Sequence, residues 1–187
     1  MNTSLINKYN IPGPRYTSYP TADRSVEAFG ANGYKQALEQ RRTGLGTRLA
    51  SLSLYVHIPF CESLCYYCAC NKIITKHTER ADEYLDYLER ELDLQLAHCP
   101  DRQLVSQLHL GGGSPTFLSD AGLSRLMDMV KSRFQLQPGG EYSIEVDPRT
   151  VSQARLAHLF QLGFNRLSFG VQDFDPQVQK AVHREQP

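Results

Sequence analysis

Apolar residues recur along this chain in two alternating rhythms. The run "SLSLYVHI" (51–58) is rich in β-branched and aromatic residues and stops at Pro59, as a strand does. Over 78–99 the apolar positions Ala81, Tyr84, Leu85, Leu88 and Leu92 return at three- and four-residue steps, which predicts an amphipathic helix. A second strand, "QLVSQLHL" (103–110), runs into Gly111, Gly112 and Gly113. After Ser119 a second helix carries a stripe of Leu123, Leu126, Met127, Val130 and Phe134. "YSIEV" (142–146), stopped by Asp147 and Pro148, is a third strand. Leu156, Leu159 and Phe160 mark a third helix, with Gly163 as its left-handed cap, and "NRLSFGVQ" (165–172) is a fourth strand.

This alternation predicts an α/β fold whose parallel strands are joined by right-handed crossovers. Ligands of such sheets gather beyond the carboxyl ends of the strands, where the loop after strand one, the glycines, Glu145 and Gln172 should meet. The expected architecture is a partial (β/α) TIM-like barrel of about four βα units. Four strands cannot close an eight-stranded barrel, and a bare parallel edge invites aggregation, so a piece of a longer protein is expected. Upstream, "IPGPRYTSYPT" reads as an extended arm within a polar, irregular first fifty residues. A short helix over 32–42 puts Tyr34, Ala37 and Leu38 on one face, and "RRTGLGTRLAS" reads as a connector. The expected division is 1–50 for arm and short helix, and 51–187 for the core.

Composition narrows the function. At 187 residues and 41% hydrophobic, the chain can bury one substantial core. Twenty Lys plus Arg against twenty Asp plus Glu leave no basic field to concentrate nucleic acid. "MNTSLINKYN" lacks the apolar run of a signal peptide, and no stretch reaches the roughly 20 apolar residues of a membrane span. A cytoplasmic protein with reduced thiols is the expectation. Of five cysteines, Cys99 stands apart and reads as a bland thiol at a helix end, whereas Cys61, Cys65, Cys68 and Cys70 crowd into "CESLCYYCAC".

In a reducing compartment such a cluster points to metal or redox chemistry. Cys61, Cys65 and Cys68 have the spacing C-x3-C-x2-C, compact enough for one loop to wrap three thiolates around a small inorganic group. Structural zinc usually takes two knuckles separated by a dozen or more residues, so three loop ligands and an open fourth position fit better. An iron–sulfur cube with one accessible iron has that form. Tyr67, between two of these cysteines, is forced close to the group they hold and is a candidate cofactor contact.

"CESLCYYCAC", behind its strand and ahead of "GGGSPT", resembles the radical S-adenosylmethionine (SAM) enzymes. "GPRYTSYPT", "LYVHIPFC", "CNKI", "LHLGGGSPTFL", "IEVDPR", "GFNRLSFGVQDF" and "REQ" further resemble the oxygen-independent coproporphyrinogen III oxidase (dehydrogenase) family of haem biosynthesis, from about residue 12 to the end. Ala69 replaces an expected glycine, Leu110 an aromatic and Ser114 a threonine. Members of that family are considerably longer, which implies a missing barrel remainder and C-terminal domain.

The resemblance implies a 4Fe-4S cluster held by Cys61, Cys65 and Cys68, with Cys70 close but not ligating, and two SAM molecules. It gives Tyr55, at the end of strand one, to the methionine moiety, with His57 in support. Gly112, Gly113 and Ser114 go to cofactor binding and Glu145 to a ribose diol. Gln172 and Arg184, the latter in the helix after strand four, go to a second SAM. Arg15, Tyr16 and Tyr19 are candidate substrate contacts. The implied activity is radical oxidative decarboxylation of two propionates of coproporphyrinogen III to vinyl groups, giving protoporphyrinogen IX, by a monomer served by a low-potential electron donor. A related haem chaperone without dehydrogenase activity is the alternative, and a zinc-binding module a more distant one.

Overall fold

The structure, a computed structural model, describes residues 3–9, 24, 26–40, 51–99 and 102–186. Along the chain run α1 (Thr3–Tyr9), α2 (Ala31–Gln40), β1 (Leu52–Ile58), β2 (Phe60–Cys61), β3 (Ile73–Ile74), α3 (Glu79–Leu96) and β4 (Leu104–Gly112). They are followed by α4 (Asp120–Arg133), β5 (Gln135–Val146), α5 (Gln153–Leu162), β6 (Arg166–Phe169) and α6 (Pro176–Ala181). The chain divides into two compact units, Met1–Ala37 and Leu38–Pro187. In the first, residues 3–9 are helical where an irregular start was expected. The arm "IPGPRYTSYPT", with Arg15, Tyr16 and Tyr19, and the connector at 41–50 lie outside the described residues. α2 matches the expected short helix, but none of its residues is buried, and of the proposed face only Leu38 is even partly covered.

In the larger unit β1, β4, β5 and β6 form one parallel sheet in that order, each crossover carrying a helix. Alternation divides every strand between two faces. One face sends Val56, Ile58, Val105, Leu108, Leu110, Ile144 and Val146 into the core, where Ala81, Leu85 and Leu88 of α3, Leu123, Leu126, Met127 and Val130 of α4 and Leu159 of α5 cover them. Burying each large aliphatic side chain contributes about 1.5–3 kcal/mol. α5 departs from expectation in one residue: Phe160 is 76% exposed, and the core contact falls to Leu159 with Leu156 and Leu162 beside it.

Local signals set the helix ends. Ser119 accepts from the Gly122 N–H and Ser152 from the Arg155 N–H, each satisfying an orphan donor of the first turn. Gly163 takes the left-handed conformation, φ 106°, that closes α5. β5 begins at Gln135, earlier than expected, because Pro138, Gly139 and Gly140 look like a turn; they form instead an irregular stretch of strand where the register against β4 shifts between Val105 and Gln107. β2 and β3, two residues each, pair in parallel as Phe60 with Ile73 and Cys61 with Ile74.

Candidate active site

The carboxyl ends of the sheet gather the chemistry. β2 and β3 close the neck of the cysteine loop: the Ile73 N–H donates to Pro59 O at 2.7 Å and the Thr75 N–H to Cys61 O at 2.9 Å. Inside the loop the Cys68 N–H donates to Cys65 O, the Lys72 ammonium to Cys68 O at 3.1 Å, and the Cys70 N–H lies 3.4 Å from Cys68 Sγ. Farther out, the Tyr66 N–H donates to Val182 O and the His183 ring bonds to Leu64 O, tying the loop to the turn after α6. Cys65 is buried, Cys61 and Cys68 are partly covered and Cys70 is exposed, all as free thiols. Burial first, then Cys68 and Asp147, push the Cys61 thiol up, against the pull of Lys72 and Arg184. A bound metal reverses that preference, because it ligates the thiolate.

Among the described residues, no three His, Cys, Asp or Glu side chains are drawn close enough to hold a single metal ion. The donor set nevertheless suits an anionic, thiolate-ligated cluster: three thiols on one neck-closed loop, with the charge of Lys72 felt at Cys61 and that of Arg149 at Cys61 and Cys65. Room beside it comes from Gly113, where a Cβ would stand 2.9 Å from Cys61 Sγ and 2.7 Å from Phe60 O.

Gly112 has φ 118°, a conformation that admits a side chain only with strain, and a Cβ there would meet Ile58 O at 2.8 Å. The N–H groups of Gly113 and Ser114 are engaged by Ile58 O and Phe60 O, both at 2.8 Å. The Ser114 carbonyl in turn accepts from the Phe117 N–H at 2.9 Å. Ser114 therefore offers a cofactor its hydroxyl, which sits 3.3 Å from Thr116 Oγ1, and neither residue offers the free backbone donor that a glycine-rich turn suggests.

The inner face of the sheet is polar. Tyr55 is the fourth of seven residues in β1, not its last, and reaches the carboxyl edge by laying its ring on His109 at 5.8 Å between centroids. Burial first, then Glu145 and Cys70, raise its phenol, so it stays a hydrogen-bond donor. His57 Nε2 faces Asn71 O at 2.8 Å; a carbonyl only accepts, so the proton sits on Nε2 and the Tyr55 hydroxyl donates to Nδ1 at 3.0 Å. His57 thereby links the inner face to the cysteine loop. Glu145 is half-exposed on this face, its carboxylate accepting from the Gly112 N–H at 3.3 Å and lying 3.4 Å from His109 Nε2. Alternation turns its two neighbours, Ile144 and Val146, to the opposite, buried face.

Tyr67 is 64% exposed on the loop. Gln172 follows β6 with φ 72°, a left-handed conformation uncommon for a side chain of this size. Arg184 lies beyond α6, which ends at Ala181, so its expected place in that helix is corrected. Its guanidinium donates twice to Gly170 O, at 3.1 and 2.7 Å, and comes within 3.5 Å of Asp147 Oδ2.

Asp147 and His109 were not singled out from the sequence. Asp147 read as a strand stop, yet it takes a bidentate grip from Arg149, with contacts of 3.0 and 2.7 Å. Its burial favours the neutral acid, but the Arg149 hydrogen bonds and the charges of Arg184 and Arg149 outweigh this and hold the carboxyl below its ordinary range. His109 stood in plain view inside "LHLGGGSPT", two places before Gly111. Its signal was the alternation that puts it on the face of Tyr55 and Glu145.

A parallel βα sheet with a three-cysteine loop beyond its first strand is the frame of one enzyme class, and the pattern of the radical SAM superfamily matches residues 55–187. The chain belongs to the radical SAM superfamily, whose members imply a 4Fe-4S cluster and SAM.

Within it, the chain is 51% identical over 183 residues to the oxygen-independent coproporphyrinogen III oxidase of Escherichia coli (strain K12), covering 98% of this chain and 38% of that protein. The protein of the same name from Pseudomonas aeruginosa is 48% identical over 188 residues, covering 99% of this chain and 40% of the relative. The one from Mannheimia haemolytica is 46% identical over 145 residues, 78% of this chain and 94% of the relative. A solved structure described as coproporphyrinogen III oxidase (HemN) from Escherichia coli, a radical SAM enzyme, superposes with a TM-score of 0.83 at 48% identity, over 98% of this chain and 39% of that one. The chain thus spans 38–40% of the length of the E. coli and P. aeruginosa relatives. Among the described residues no helix is long and apolar enough to cross a membrane.

Proposed function

We propose that the protein containing this chain converts two propionate side chains of coproporphyrinogen III to vinyl groups, giving protoporphyrinogen IX. The observation that carries this is the meeting of the cysteine loop, the Gly112 turn and the carboxylate of Glu145 at one edge of one parallel sheet. The names of the relatives support the choice of substrate.

Each conversion removes a hydrogen atom from the propionate β-carbon, carbon dioxide and one electron, the last passing to an acceptor. No side-chain base can abstract that hydrogen; the cluster with SAM, when bound, supplies the radical chemistry. Cys61, Cys65 and Cys68 would hold the cluster, with Lys72 and Arg149 offsetting its negative charge. Glu145 would accept from a ribose diol of SAM, and Tyr55 and Tyr67 would flank the cofactor. Gly112, Gly113 and Ser114 would let it approach β4 closely, while Gln172 and Arg184 would serve a second SAM. Arg15, with Tyr16 and Tyr19, would meet a substrate propionate, which suits a guanidinium fork.

The test is anaerobic purification of the full-length protein. It should be brown, contain about four irons per chain and convert coproporphyrinogen III when given SAM and a low-potential reductant. A colourless, zinc-loaded protein would overturn the assignment, as would haem binding without turnover.

A further inference from the structure

On the inner face of the sheet His109 sits between two residues of the neighbouring strand. Its Nδ1 is 2.7 Å from Ser143 Oγ and its Nε2 3.4 Å from Glu145 Oε1, while the Tyr55 ring stacks on it with an interplanar angle of 18°. Gly111 makes that stack possible, because a Cβ there would come within 2.9 Å of the Tyr55 ring and 3.1 Å of His109 Nε2. An ionised carboxylate only accepts, so the contact with Glu145 requires the proton on Nε2. Ser143 is compatible with either form of the ring. It donates to a neutral Nδ1, or accepts from a charged one while giving its own hydrogen to Leu108 O at 3.3 Å. Nε2 is the donor in both.

Glu145 is thus held from two sides, Oε1 by His109 and Oε2 by the Gly112 N–H. A carboxylate offers about four acceptor sites, so two remain, and a vicinal diol brings two O–H donors. We infer that His109 is a positioning residue: it fixes the Glu145 carboxylate so that its free acceptor sites select an intact ribose diol. This rests on the proposal that Glu145 meets the ribose of SAM.

The experiment compares equilibrium binding of SAM and of its 2′-deoxyribose analogue to the anaerobic full-length holoprotein, with iron content as the control. The native protein should prefer SAM by about ten-fold or more, the range of a hydrogen bond to a charged group. His109→Ala should lose most of that preference. His109→Gln, whose amide N–H can stand in for Nε2, should restore it, and His109→Asn, which reaches only the Nδ1 position, should not. A role confined to packing would move both ligands together and leave their ratio unchanged, and so overturn the inference. Equal preference in the Gln and Asn variants would overturn it as well, even if the Ala variant fails to load iron. Glu145→Gln separates the two levels: if it abolishes the preference while His109→Ala keeps it, only the role of His109 falls. If Glu145→Gln keeps the preference, the ribose assignment falls and the inference with it.

Discussion

The two faces of the four-stranded sheet are built from alternate residues of the same strands, yet they have little else in common. On β5, Tyr142, Ile144 and Val146 are buried on one face, while Glu141 and Glu145 on the other are not, and Ser143 between those two is a covered polar residue. On β4, Leu108 and Leu110 are sealed in the core, while Gln107 and His109 look the other way. The helix-covered face collects apolar area and makes the sheet stable. The inner face collects a phenol, two imidazoles, serines and carboxylates whose mutual bonds leave acceptor capacity unused. Stability and chemistry are separated by a one-residue step along each strand, so substitutions on the two faces should fail in different ways.

The largest effect expected is on the chemical side. Cys68→Ala in the full-length protein removes one of three proposed cluster ligands. Turnover should fall by more than about 100-fold, beyond what loss of an outer-shell partner costs a metal site. Iron content should fall with it, while the denaturant midpoint of the fold changes little, because Cys68 is only partly covered. On the opposite face Ile144→Ala deletes a fully buried side chain and should cost about 3–4 kcal/mol, read as a lower midpoint at unchanged slope. Iron analysis and urea denaturation on both variants test whether the two faces separate in this way.

That separation also governs what could be read before any coordinates. Helices α3, α4 and α5 and the cores of the strands announce themselves because buried positions repeat at the helical or strand period, as Leu85, Leu88, Leu126 and Met127 do. The inner face carries no such signature: a polar residue between apolar neighbours shows that it faces away, not what it faces. Glu145 was found through its resemblance to a family position, whereas His109 and Ser143, equally polar and on the same face, were passed over because their partner lies on another strand. The neck of the cysteine loop rests on two residues from each side, too few to show a period. Asp147 combined both difficulties, since Asp-Pro reads as a stop and its arginines lie two and 37 positions onward.

Asp147 belongs to neither face. It sits just past β5, largely buried, and joins Arg149 to Arg184. Removing one partner of a buried ion pair leaves the other uncompensated, so Asp147→Ala should cost about 3 kcal/mol. Its pH signature has a definite sign. The folded carboxyl titrates below its unfolded value, so its stabilisation is complete above an unfolded pKa of about 4 and is lost as pH falls through the lower folded value. Asp147→Asn should flatten that acid limb of the stability profile. An unchanged limb would show that another carboxylate carries it.

The smallest effect sharpens the comparison most, because it touches neither face. Ser119 caps α4 through the Gly122 N–H at 3.0 Å, and α4 covers the buried side of the sheet without reaching its inner side. By contrast Thr78, the N-cap of α3, makes no side-chain cap bond, and Glu79 and Asp82 in the first turn meet the helix dipole. Ser119→Ala should therefore cost about 1 kcal/mol, whereas Thr78→Ala should cost markedly less. Both variants should keep native iron content and native SAM affinity. Thermal and urea unfolding measure the first pair of values and equilibrium binding the second. If Ser119→Ala weakened SAM binding in proportion to its loss of stability, the two faces would be coupled through the sheet, and the division of labour between them would not hold.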